Sequence, residues 1–264
     1  MNGLLRDAAE RLRAAGIDSP RIDARILWDH AQRLRHGSFE QLVQRRLRHE
    51  PTAYITGHRE FWSLDFEVGR GVLIPRPETE TLVEESLRLL PDRNAGYRFL
   101  DLGTGTACLL VALLKEFPNA TGVGVDSSKA ALNWARRNVI RHRLRCRCTL
   151  AVGNWDSAEG RFDLIVSNPP YIATSDRSAL PVDVRDYEPA AALDGGQDGL
   201  KSYRALPPVL MKGLKPSGWA LLEIGAGQHH LVSEIMAAQG LFVARVVADL
   251  AGLDRCLVVS PTRR

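Results

Sequence analysis

The chain has 264 residues, 45% of them hydrophobic and 25% charged, which is ordinary for a globular protein and enough to bury a substantial core in one or two domains. Its net charge of +4 and pI near 9.0 allow contact with an acidic or nucleic-acid surface without requiring one. Cys108, Cys146, Cys148 and Cys256 form no C-x-x-C pair, and the seven histidines form no H-E-x-x-H spacing, so neither a disulfide framework nor a structural metal is expected. Arg6, Asp7 and Glu10 interrupt any signal-peptide core, and no apolar run approaches the roughly 18 residues that span a bilayer; a cytoplasmic location away from membranes is the expectation.

Residues 1 to 50 read as a helical bundle. Leu4, Leu5, Ala8 and Leu12 recur at helical spacing, and Gly16 ends that helix. Ser19-Pro20 opens a second helix, with Ile22, Ile26 and Leu27 as its apolar side. Ser38 and Gln41 form a capping box ahead of Leu42 and Leu47. The first 60 residues hold eleven arginines and no lysine, a pattern that fits either a docking surface or a solvated face.

Residues 51 to 72 read as a hairpin linker. Trp62, Leu64, Phe66 and Val68 alternate with polar residues, which predicts a strand with one buried face, and the region of Gly57 is expected to be the turn. Residues 73 to 264 form the remaining domain. Pro77, Glu78 and Glu80 start a helix with Val83, Leu87 and Leu90 as its stripe.

From Arg98 strand and helix alternate, the mark of a mostly parallel sheet. Strands are predicted at 98–102, 121–125, 148–152, 162–166 and 218–224, followed by an antiparallel pair at 242–247 and 256–260, seven in all. Helices are predicted at 107–117, 128–140 and 231–238. Pro207-Pro208 is expected to kink or delay the helix before the fifth strand. His229-His230 reads as a solvated helix face, and the basic run Arg136 to Arg147 as either a solvated helix end or a contact for nucleic-acid phosphates or an acidic protein surface.

Asp101-Leu102-Gly103-Thr104-Gly105-Thr106-Ala107 joins the first strand to its helix. The glycines allow a ligand close to the backbone, and the helix start offers free N–H groups. Cys108 stands where a dinucleotide fingerprint needs its third glycine, so an NAD site is disfavoured. Asp126, ending the second strand, can accept both hydroxyls of a ribose or simply cap a helix. Ser167-Asn168-Pro169-Pro170-Tyr171 follows the fourth strand, at the sheet end where open α/β folds bind ligands.

Together these three stretches resemble the class I S-adenosylmethionine-dependent methyltransferases. Pro51-Thr-Ala-Tyr-Ile-Thr-Gly57, Glu60-Phe61-Trp62, Ile74-Pro-Arg-Pro-Glu-Thr-Glu80, Glu188-Pro189 with Gly195 to Leu200, and Asp249 to Gly252 before Asp254-Arg255 narrow the resemblance to the release factor glutamine methyltransferases (PrmC, or HemK). The resemblance implies a Rossmann-like α/β methyltransferase domain behind a helical, substrate-recognising amino-terminal part. It implies methyl transfer to the glutamine amide nitrogen in the Gly-Gly-Gln loop of peptide-chain release factors. A monomer with no stable nucleic-acid partner is expected.

By position, Asp101, Gly103, Thr104, Gly105, Thr106 and Ala107 would line the methionine part of S-adenosylmethionine, and Asp126 would hold its ribose. Trp155 would flank the adenine with Asn154 at its amino edge. Asn168 would touch cofactor and substrate. Pro169 and Pro170 would shape the catalytic loop, and Tyr171 would pack on the substrate amide. Asn168 Oδ1 and the Pro169 carbonyl can accept both amide N–H bonds as the nitrogen becomes tetrahedral. Ala107 departs from the glycine common in the family. Two rivals stay open: a nucleic-acid adenine methyltransferase sharing N-P-P-Y, and a non-catalytic relative that lost the cofactor because of Ala107.

Overall fold

A computed structural model describes residues 2–34 and 38–263. Three helices, α1 (Asn2–Ala14), α2 (Pro20–Ala31) and α3 (Phe39–Leu47), pack around Leu12, Leu27 and Val43. The capping box forms: Gln41 N donates to Ser38 Oγ at 3.2 Å, and Ser38 N to Gln41 Oε1 at 3.0 Å. The expected face of α2 is corrected. Ile22 is 61% and Ile26 41% exposed, while Asp23, Ala24, Leu27 and Ala31 turn inward. Asp23 is drawn in by Arg46 of α3, whose Nε donates to Asp23 Oδ2 at 2.7 Å.

A short helix, α4 (Thr52–Thr56), ends at Gly57, and the hairpin of β1 (His58–Phe61) and β2 (Leu64–Glu67) follows. The turn does not lie near Gly57, which caps α4 with φ +77°. It is Trp62-Ser63, with φ of 52° and 55°. Such a two-residue turn matches the twist of its strands but costs a side-chain-bearing residue about 1–2 kcal/mol. Two acids offset that cost: Trp62 N donates to Glu80 Oε1 at 2.8 Å, and Trp62 Nε1 to Glu116 Oε1 at 2.7 Å.

A 3-10 turn, Pro77–Thr79, leads into α5 (Glu80–Leu89), which buries Leu82, Val83 and Ser86. Then come β3 (Arg98–Leu102), α6 (Cys108–Glu116), β4 (Thr121–Asp126), α7 (Lys129–Arg141), β5 (Cys148–Val152) and β6 (Phe162–Ser167). The segment after β6 carries two short helices, α8 (Val182–Tyr187) and α9 (Ala190–Leu193). The chain closes with α10 (Lys201–Gly213), β7 (Leu214–Glu223), α11 (His229–Ala238), β8 (Phe242–Ala248) and β9 (Asp254–Ser260).

The seven strands lie in the order β5-β4-β3-β6-β7-β9-β8; the first five are parallel, and β9 runs antiparallel to both neighbours. Side-chain alternation puts Phe99, Leu164, Val166, Leu221 and Val258 in one core, and Leu100, Ile165, Leu222, Leu257 and Val259 in another. Of the two outcomes expected at Pro207-Pro208, a kink or a late start, the late start does not occur: α10 starts at Lys201 and carries both prolines inside it. Burial of Tyr203, Leu206 and Leu210 holds the helix across the lost backbone bonds. Strand order reverses between β3 and β6, and that reversal opens a crevice at their carboxyl ends. No described helix is long and apolar enough to cross a membrane.

Candidate active site

A cavity of about 650 Å³ opens at that crevice, within the range of small-molecule sites. Its lining includes the glycine loop after β3. Gly103 and Gly105 take φ of +77° and +56°, and the N–H groups of Gly103 and Thr104 both donate to the Val125 carbonyl. The loop folds over β4 only because residue 124 is glycine: a Cβ there would stand 2.8 Å from Thr104 Oγ1 and 2.9 Å from Leu150 Cδ2.

Asp101 lines the cavity yet is only 2% exposed. Burial pushes its carboxyl up to about 7, the 2.6 Å bond from Thr104 Oγ1 opposes this, and the charge of Asp126 adds to it. Asp126 Oδ2 accepts from Gly105 N and Oδ1 from Ser128 N, both at 2.8 Å. Each oxygen keeps a second lone pair for a ligand hydroxyl. Asn154, Trp155 and Asp156 reach the cavity from the turn after β5, joined by Ala205, Pro208 and Val209 of α10.

Thr104 and Thr106 line the cavity; Ala107 does not. It caps α6 in the left-handed region, φ 62°, with its methyl fully buried in the core. The side chain expected to crowd the cofactor therefore faces the protein interior, which removes the motive for the non-catalytic reading.

Asn168 and Pro170 line the cavity, whereas Pro169 is buried behind them and Tyr171 sits off the lining. Asn168 Nδ2 donates to Thr79 Oγ1 at 3.1 Å, leaving Oδ1 free to accept. The Thr79 hydroxyl donates to Glu223 Oε2 at 2.5 Å, and the Tyr171 hydroxyl to Glu223 Oε1 at 3.3 Å. Burial pushes the Glu223 carboxyl up to about 7, against the Thr79 bond, the Arg255 charge and the Tyr171 bond. Burial likewise pushes the Tyr171 hydroxyl upward. The loop is braced from behind by Gln228, whose Nε2 donates to the Tyr171 carbonyl at 3.0 Å. Gly199, at φ +75°, presses against the same carbonyl; a Cβ there would lie 2.5 Å from it.

Two further segments reach the lining. Leu73, Pro75 and Arg76 meet Pro189, Ala191 and Ala192, and Glu188 clasps the two segments together. Its carboxylate accepts from Ile74 N at 3.0 Å and from Arg76 Nη2 at 2.5 Å. Both motifs stand in the sequence, but nothing local pairs them, nor marks Thr79 or the α10 wall as part of the site. The signal for Glu223 was present, a single acid in the apolar run 219–224, where an ionisable group needs a reason to be buried.

The basic run is largely spent on structure. Arg137 pairs with Glu67, Arg141 with Asp65, and Arg147 donates to the carbonyls of Leu114, Phe117 and Ala120. Among the described residues, no group of three or more His, Cys, Asp or Glu is placed to hold a metal.

Residues 80–182 match the family model of the methyltransferase small domain. The release factor glutamine methyltransferase of Rhodospirillum rubrum is 42% identical over 97% of this chain and 83% of its own length. That of Caulobacter vibrioides is 41% identical over 95% and 93%. A methyltransferase of known structure from Pyrococcus furiosus shares the fold at 20% identity, with a TM-score of 0.55 over 76% of this chain and 90% of its own. The chain belongs to the release factor glutamine methyltransferase family.

Proposed function

We propose that this chain transfers the methyl group of S-adenosylmethionine to the side-chain amide nitrogen of the glutamine in the Gly-Gly-Gln loop of peptide-chain release factors. The observation that carries the reading is Asn168, whose amino group is tied to Thr79 so that its carbonyl oxygen is left for a substrate beside the glycine loop.

The residues fit the cofactor. Asp101 and Asp126 put negative charge where a cationic ligand with a ribose diol would lie, and Trp155, Pro208 and Val209 supply apolar wall for an adenine. When bound, S-adenosylmethionine supplies an electrophilic methyl group. The protein holds the acceptor. Asn168 Oδ1, with the Pro169 carbonyl, accepts the amide N–H bonds of the glutamine, which orients its lone pair and stabilises positive charge as the nitrogen becomes tetrahedral. The proton leaves after transfer. Tyr171 is no base for it, since burial disfavours its anion.

The bundle formed by residues 1 to 50 recognises the release factor beyond the three-residue loop. In support, Arg46 reaches from that bundle to Asp183 of α8 at 3.3 Å, and Tyr187 Oη donates to the Arg48 carbonyl at 2.6 Å, tying it to the segment that ends at Pro189 and Ala192. The protein acts as a monomer without a stable nucleic-acid partner.

The test is transfer of labelled methyl from S-adenosylmethionine to purified release factor, with the loop glutamine intact or replaced by alanine, beside an Asn168→Ala enzyme. Label is expected only on the intact factor and only with wild-type enzyme. Label on the alanine variant, or none despite cofactor binding, refutes the assignment.

A further inference from the structure

Glu223 is the most deeply placed acid near the site and touches no part of the cavity; it is 1% exposed. Both of its oxygens accept hydrogen bonds, one from Thr79 and one from Tyr171. A hydroxyl carries one proton. If Thr79 donates it to Glu223, Thr79 Oγ1 can only accept from Asn168, and the Asn168 amino group must point inward.

We propose that Glu223 and Thr79 are positioning residues that set the polarity of Asn168: the carboxylate directs the Thr79 hydroxyl, and Thr79 holds the Asn168 amide with Oδ1 toward the substrate. This rests on the methyltransferase reading above. Were Glu223 to carry a proton, it could donate to Thr79 Oγ1 across the same 2.5 Å. Thr79 would then donate to Asn168, the amide would turn over, and its NH₂ would confront the NH₂ of the glutamine. Two donors facing each other neither bind the amide nor stabilise charge on its nitrogen.

The surroundings poise this switch near neutrality. Burial raises the Glu223 carboxyl to about 7; Glu78 of the 3-10 turn raises it further, and Arg255 of β9 lowers it. The Tyr171 hydroxyl donates to the Glu223 carboxyl, Tyr203 Oη donates to the Glu223 backbone carbonyl at 2.8 Å, and the thiols of Cys108 and Cys256 feel its charge; burial holds all four in their neutral forms.

The experiment compares wild type with Glu223→Gln, an isostere whose NH₂ donates to Thr79 and reverses the relay. The Asn168 side-chain amide resonances, assigned by their loss in Asn168→Asp, are followed by NMR from pH 5.5 to 8.5 in the free protein. They are expected to titrate near pH 7 in wild type and to stay fixed in Glu223→Gln. Resonances that do not titrate, or that titrate equally in both proteins, overturn the proposal.

At pH 8 the kcat for release factor is expected to fall by about 100-fold or more in Glu223→Gln, with cofactor affinity within about threefold of wild type. Thr79→Val placed on Glu223→Gln should add little, since both act on one bond chain. The folded pKa lies above that of an unfolded glutamate, so stability from the neutral carboxyl is present in acid and lost as pH rises through about 7. Removing the charge at pH 8 should therefore leave unfolding stability at or above wild type, whereas a merely structural Glu223 would show a loss. Wild-type kcat in Glu223→Gln overturns the proposal. A wild type that leaves release factor unmethylated sinks the substrate assignment instead, and the NMR titration still decides the relay.

Discussion

Replacing Asp126 with asparagine tests whether this carboxylate builds the cofactor loop or only borders it. Its two oxygens each accept one backbone N–H at 2.8 Å, from Gly105 and from Ser128. An amide side chain offers one acceptor and one NH₂. One of the two N–H groups must therefore face a donor. A hydrogen bond to a charged group contributes about 1.5–3 kcal/mol, and each 1.4 kcal/mol is tenfold in affinity. The dissociation constant for S-adenosylmethionine should rise by about 10- to 140-fold, with more if a ribose hydroxyl also loses its partner. Folding should change far less, because Ser128 Oγ still caps α7 by accepting from Ala131 N at 3.2 Å. Titration calorimetry with S-adenosylmethionine and S-adenosylhomocysteine measures both affinities; the ribose they share predicts a penalty for both, larger for the sulfonium, which also loses the attraction of the carboxylate charge. Binding within threefold of wild type would refute the reasoning, as would a penalty confined to the charged sulfonium.

Two further outcomes are expected. Burial places the Asp101 carboxyl near 7, so it is protonated in the free protein below that pH, whereas a cationic ligand favours the anion. Affinity for S-adenosylmethionine should fall toward tenfold per unit as pH drops below about 7; an equally steep fall in Asp101→Asn would count against this. Arg46→Met should cost about 3–5 kcal/mol of stability by leaving Asp23 buried and unpaired, with most of it recovered in Arg46→Met/Asp23→Leu. A loss under about 1 kcal/mol in urea unfolding would mean that the pair is not what holds α2 on α3.

Much of this molecule was legible in its sequence because the signals were local. Short apolar runs between helical stretches marked all seven strands of the large sheet, and the Ser38–Gln41 capping box formed as read. Asp126 and Asn168 stood out because one ends and the other follows a strand whose end is fixed by its own apolar run. The misreadings came where distant residues overrode local preference. Ile22 and Ile26 looked like a buried face until Arg46 claimed Asp23 and turned α2. Gly57 looked like the hairpin turn, but Glu80 and Glu116 stabilise Trp62-Ser63 in a conformation that neither residue favours alone.

Chain order, the strand pattern and the glycine loop that lines the cavity follow from the sequence by itself, since each depends on neighbours a few positions away. The direction in which Asn168 presents its amide does not. It depends on Thr79 and on Glu223, 144 residues further along, and on burial that no local pattern records. Only the folded sheet brings these three side chains within hydrogen-bond reach, and a hydrogen bond has no direction until both partners are in place.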